Sequence, residues 1–207
     1  MDIHDIVQRL LGRAPEPEDG ISENELALAG QRLGAAIPSA LLALYRHAGG
    51  NSMLMDSFNT FVRPKGLRIE EGRMVFLEEN QGVCSWAVNM DAVAPKVFMR
   101  PAGSGEWLPE AALDEFLPAA LYLQCAQMGY EFAGTIGLDD GTLKKRLDAE
   151  WETAVRHNGF FAAWKPDCLL WCLFDGDGEV IDGMVYLSAR TREAYAAWES
   201  EYELAEL

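Results

Sequence analysis

Met74-Val75-Phe76-Leu77, Glu78-Glu79-Asn80-Gln81-Gly82 and Val83-Cys84-Ser85-Trp86-Ala87-Val88 follow one another without interruption and decide the fold. The first and third stretches are rich in β-branched and aromatic residues. The polar middle stretch contains Asn and Gly, the residues that turn a chain. Val97-Phe98-Met99 repeats the pattern after Met90-Asp91-Ala92-Val93-Ala94-Pro95, and Trp107 opens a further short strand. Connections this short join neighbours in an antiparallel meander.

Upstream, residues 51–65 show no firm period, and before them the period changes from two to 3.6. Pro38 suits the first turn of a helix that buries Leu41, Leu42, Tyr45 and Ala48 and ends at Gly49-Gly50. Ser22 and Glu25 form an S-x-x-E capping box for the preceding helix, with Ile21 and Leu26 as a hydrophobic staple. Leu26, Ala29 and Leu33 supply its apolar face, and Gly34 ends it. These two helices are expected to pack as a hairpin. Ala14 to Gly20 reads as a solvated connector. Ile3, Ile6, Val7, Leu10 and Leu11 predict a helix over 2–12, with Asp2 as N-cap.

Downstream, Leu113 to Cys125 resumes helical spacing, with a start near Asp114 that places Pro118 in the first turn. Leu143, Leu147, Trp151 and Val155 predict another helix, ended by Asn158-Gly159. Cys168 to Phe174 and Glu179 to Leu187 read as a hairpin about Asp175-Gly176-Asp177-Gly178. A last helix from Thr191 buries Tyr195, Trp198 and Tyr202. Strands cluster instead of alternating with helices, so the class is α+β: an N-terminal helical hairpin on an antiparallel sheet, with further C-terminal helices and a hairpin. One domain over 1–207 is expected. Residues 130–207 complete the same sheet or form an extension; completion is favoured, because a hairpin this apolar does not stand alone.

Seventeen basic residues face 33 acidic ones, for a formal net charge of −16. Nucleic-acid binding draws its affinity from Lys and Arg neutralising phosphates, so this balance argues against nucleic acid and against an anionic membrane surface. It favours a basic protein partner, steered in at long range. Acidity for solubility alone is the plain alternative. With no signal peptide at Met1-Asp2-Ile3-His4-Asp5, no apolar run of spanning length, and Cys84, Cys125, Cys168 and Cys172 as buried thiols, a cytoplasmic protein is expected.

Ile21-Ser22-Glu23-Asn24-Glu25-Leu26, Arg32-Leu33-Gly34-Ala35-Ala36-Ile37-Pro38 and Leu44-Tyr45-Arg46-His47-Ala48-Gly49-Gly50 resemble the opening of SUKH-superfamily proteins. The strand–turn–strand from Val75 to Trp86, then Asp91, Pro95-Lys96-Val97-Phe98, Trp107 and Leu113-Asp114-Glu115-Phe116-Leu117, follow in that superfamily's order. The resemblance covers about residues 21–128, preceded by the helix within 1–14. It departs from the pattern at His47-Ala48, where asparagine is common, and at Pro118. It implies a protein-binding α+β fold and, for bacterial members, an immunity protein that neutralises a toxin domain of a polymorphic toxin system. The alternative it implies is a general interaction or regulatory scaffold module without a toxin partner.

Glu78, Glu79, Asn80 and Gln81 carry two readings. They offer carboxylates and amides to a basic partner, or Asn80 and Gly82 shape a turn while Gln81 bonds the backbone. Trp86 and Trp107 are candidate binding anchors, and burial in the core is the competing reading, above all for Trp86. Phe160-Phe161, Trp164 and Trp171 read as core. His4, His47 and His157 are isolated in sequence, without zinc-site spacing. Asp175 opens no calcium loop, because Val180 and Tyr186 stand where Gly and Glu are needed. No nucleophile elbow, P-loop or dinucleotide fingerprint occurs. No catalytic residue, metal or cofactor is expected, and the protein is read as a non-enzyme.

Overall fold

The computed structural model describes residues 2–91, 93–137, 149–200 and 205–206. The fold is α+β, with helices and two antiparallel sheets. The chain divides into two compact units, Met1–Pro118 and Ala119–Leu207.

In the first unit, α1 (Ile3–Leu11) buries all five predicted apolar residues and ends at Gly12 in the left-handed conformation. Asp2 holds the N-cap position, but its side chain accepts no capping bond. The predicted connector is more than a solvated link. It contains a 3-10 turn (Pro17–Asp19), and Asp19 is only 4% exposed. Helix α2 (Glu23–Leu33) is capped by Ser22, whose Oγ accepts the Glu25 N–H. The Glu25 half of the predicted box is replaced by a longer tie, since Glu23 pairs with Arg46 of α3 (Ser39–Ala48). Pro38 is the N-cap of α3, one position earlier than predicted. Leu41, Leu44, Tyr45 and Ala48 are its buried residues, Leu44 taking the place expected for Leu42. The Ile21 N–H donates to the Tyr45 carbonyl, but the closest helix pair is α1 with α3.

The region without a firm period holds α4 (Ser52–Asp56), β1 (Thr60–Phe61) and a 3-10 turn at Pro64–Gly66, followed by β2 (Arg68–Glu70). The meander is β3 (Arg73–Glu78), β4 (Cys84–Asn89), β5 (Lys96–Pro101) and β6 (Leu108–Ala112). These pair antiparallel in sequence order. Both β1 and β2 pair with β3, completing a six-stranded sheet. A bulge between Val75 and Leu77 gives β3 an extra residue, and the Phe76 ring meets Phe116 edge-on at 5.8 Å.

Helix α5 (Leu113–Gln124) crosses from the first unit to the second and continues as a π turn over Cys125–Gly129. It starts at Leu113, so Pro118 lies beyond the first turn, inside the helix. There proline has no N–H for the Asp114 carbonyl, and the division between the units falls at this same residue.

The second unit has its own six-stranded sheet, in the order β12-β7-β11-β10-β9-β8. Its strands are β7 (Phe132–Gly137), β8 (Glu152–His157), β9 (Phe160–Lys165), β10 (Cys168–Leu173), β11 (Met184–Ala189) and β12 (Ala205–Glu206). Contrary to expectation, the apolar hairpin therefore does not complete the first sheet; β7 and β9 shelter it instead. The helix expected through Val155 is overturned at 152–157, which form β8. Leu143 and Leu147 lie outside the described residues. Asn158 and Gly159 make the two-residue turn between His157 and Phe160, with φ of +43° and +77°. Helix α6 (Arg192–Glu199) is capped by Thr191 and buries Tyr195 and Trp198 as expected; Tyr202 is outside the described residues.

Candidate partner-binding surface

The β3–β4 turn and the β5–β6 loop meet at one end of the first sheet, where the Ala102 N–H donates to the Val83 carbonyl at 2.7 Å. The turn is built by Glu79. Its Oε2 accepts the Gln81 N–H at 2.7 Å and the Val83 N–H at 3.2 Å, while its carbonyl accepts the Gly82 N–H. Gly82 takes a φ of +72°, which only glycine adopts without strain. The expectation that Asn80 and Gly82 shape the turn while Gln81 bonds the backbone holds for Gly82; the side chain that bonds the backbone is Glu79 instead of Gln81. Asn80 and Gln81 are left exposed at the tip. Val83 beside them is 55% exposed, an apolar contact presented next to polar tips.

Register separates the other candidates. Glu78, Ser85 and Arg100 stand opposite one another across β3, β4 and β5, so their side chains share one face. Trp107 joins them, with the Arg100 guanidinium 4.4 Å from its ring centre. Trp86 points to the opposite face, where its ring lies 6.0 Å from Phe116 on the first turn of α5. Trp86 is half-buried core packing and leaves the candidate surface, whereas Glu78, Glu79, Asn80, Gln81 and Trp107 remain on it or at its rim.

The structure adds three residues to this face. Arg68 donates to Glu70 at 2.6 Å and to Glu78 at 2.8 Å, and Arg100 also pairs with Glu70. The result is a chain Glu78–Arg68–Glu70–Arg100–Trp107 in which every guanidinium is held on two sides. The hydrogen bonds from Arg68, ahead of those from Arg100, hold the Glu70 carboxyl below its ordinary range, so it stays ionised. The Trp107 Nε1–H is buried without a hydrogen-bond partner among the described residues, so the indole joins this group through the Arg100 guanidinium over its ring. A sequence signal for β2 existed: Arg68-Ile69-Glu70 alternates, and Glu71-Gly72 is a two-residue turn with both φ values positive.

Burial, and then the Glu79 and Glu110 carboxylates, push the Cys84 thiol up, away from the thiolate. Among the described residues, no group of three or more His, Cys, Asp or Glu is placed to hold a metal ion. No described helix is long and apolar enough to cross a membrane. The arrangement can bind, through carboxylates fixed by arginines, an indole, and polar tips with one exposed valine.

No protein-family model, curated protein or solved structure matches the chain.

Proposed function

We propose that the chain is a SUKH-type bacterial immunity protein, a cytoplasmic non-enzyme that binds a basic toxin domain and occludes it. The loop end of the first sheet is its docking surface. The observation that carries this reading is the Glu78–Arg68–Glu70–Arg100–Trp107 chain beside the exposed 80–83 tip. Pre-paired charges keep their geometry, so a partner's cation meets carboxylates already oriented, without the cost of ordering long side chains. The resemblance over residues 21–128 and the acidic balance support the same reading.

The test is to look for a toxin domain encoded beside the gene and to measure binding kinetics against it. Asn80→Arg and Gln81→Arg alter exposed tips whose side chains carry none of the turn's bonds, so the fold survives them. They are expected to slow association on the order of tenfold, as like charges now meet. Unchanged kinetics with both would move the docking surface elsewhere. Capture of regulatory or cell-wall proteins, with no toxin bound, would favour the scaffold reading.

A further inference from the structure

His4 and His47 are 43 positions apart in sequence, yet the α1–α3 pairing brings their rings to 4.8 Å between centres at an interplanar angle of 76°. Two imidazoles bound side by side on one cation, with metal–nitrogen bonds of about 2.1 Å, have ring centres roughly 4.5–5.2 Å apart. The observed spacing falls inside that interval. The Asp5 carboxylate lies 3.7 Å from His4 Nδ1, outside hydrogen-bond distance, and places negative charge beside the ring. The His4 side chain is 42% exposed and His47 half-buried, so a cation has a way in. The Asp2 carboxylate acts electrostatically on His47 and adds negative charge beside the pair.

We propose that His4 and His47 form a two-imidazole site for a late first-row divalent cation, with water completing its shell, and that the bound ion ties α1 to α3. Imidazole donors select zinc, copper or nickel over magnesium or calcium, which prefer oxygen. Two protein ligands make the site weaker than a closed structural centre, suiting it to reversible occupation. The site is remote in sequence from the docking surface and does not depend on the toxin-binding reading.

The test uses the full chain and zinc chloride alone, with titration calorimetry and thermal melting at pH 7.5. One equivalent of Zn²⁺ is expected to bind and raise Tm, with chelator reversing the shift. His4→Gln and His47→Gln should each abolish both effects while leaving the metal-free Tm near that of the parent chain, because a chelate needs both rings. At pH 5.5 binding should be lost as protons compete for the nitrogens. Absence of a zinc-dependent shift, or a shift that survives either histidine substitution, overturns the proposal, as does equal stabilisation by Mg²⁺.

Discussion

The Asp19 carboxylate accepts two hydrogen bonds from the Arg13 guanidinium, at 2.6 and 3.0 Å. It also accepts one from the Asn51 amide and one from the Glu16 N–H, both at 2.8 Å. Its own carbonyl takes the Gly50 N–H at 2.7 Å, so one residue fastens the 3-10 turn, the end of α3 and the start of α4. Four bonds to a buried anion outweigh its burial penalty and hold the carboxyl well below its ordinary value of 3.8, with Arg13 the largest contributor. A depressed carboxyl pKa stabilises the folded state fully above the unfolded pKa, and that contribution drains away as pH falls below 3.8. Asp19→Asn is therefore expected to cost about 2–3 kcal/mol at pH 7, since it removes charged hydrogen bonds, and to flatten the acid limb of stability against pH. Urea unfolding at pH 7 and pH 3 checks both; an unchanged acid limb contradicts the role. Gly20 makes a sharper steric claim, because a Cβ there would stand 2.0 Å from the Arg46 carbonyl oxygen. Gly20→Ala is expected to lower stability by at least about 2 kcal/mol in a thermal melt, as backbone must move. Asp19 was not legible in sequence: an acid between prolines and glycine looks solvated, and its partner Asn51 arrives only through the tertiary fold.

At the scale of elements, caps and meander were readable because their causes are local. Ser22, Gly34 and Thr191 mark helix ends by chemistry within four residues, and β3, β4 and β5 lie within one or two residues of their predicted positions. The helix expected through Val155 shows where periodicity misleads. A spacing of four is even, so apolar residues at that spacing suit one face of an extended chain as readily as of a helix; here β8 begins after Trp151 and a bulge between Thr153 and Val155 shifts its register. Asn158-Gly159 decides between them, since both take positive φ in a two-residue hairpin. Gly159 is doubly constrained, by its φ of +77° and by the Phe174 carbonyl oxygen, which would stand 2.8 Å from an added Cβ. Gly159→Ala should cost about 1–2 kcal/mol and loosen β8 from β9 first. Hydrogen exchange at β8 amides checks it, and protection equal to that of the parent chain contradicts it. At the candidate surface, Glu78 and Trp107 were legible in sequence, but Arg68, Glu70 and Arg100 were not. They belong to strands β2 and β5, and only the pairing of both within one sheet brings their charges together.

Across the whole molecule, charge is distributed without a basic surplus in either unit. Residues 1–118 carry 17 acidic and 10 basic side chains, and residues 119–207 carry 16 and 7. At least eight of the 17 basic side chains are taken up in ion pairs within their own unit. Others lie on aromatic rings, as Arg73 does over Phe98 and Arg156 over Phe174. The cations thus serve the fold, and the surplus carboxylates set the outward field. Association with a basic partner should accordingly slow on the order of tenfold or more between low and high salt, with dissociation much less affected. Stopped-flow mixing at two ionic strengths reads this directly, and a salt-independent association rate contradicts electrostatic steering. The most direct measurement of the proposed immunity role is growth of cells expressing a candidate toxin domain drawn from the gene's neighbourhood, with and without this chain. The intact chain is expected to restore growth, and Asn80→Arg with Gln81→Arg to restore it less. Toxicity that persists while the chain accumulates folded in the same cells would contradict it.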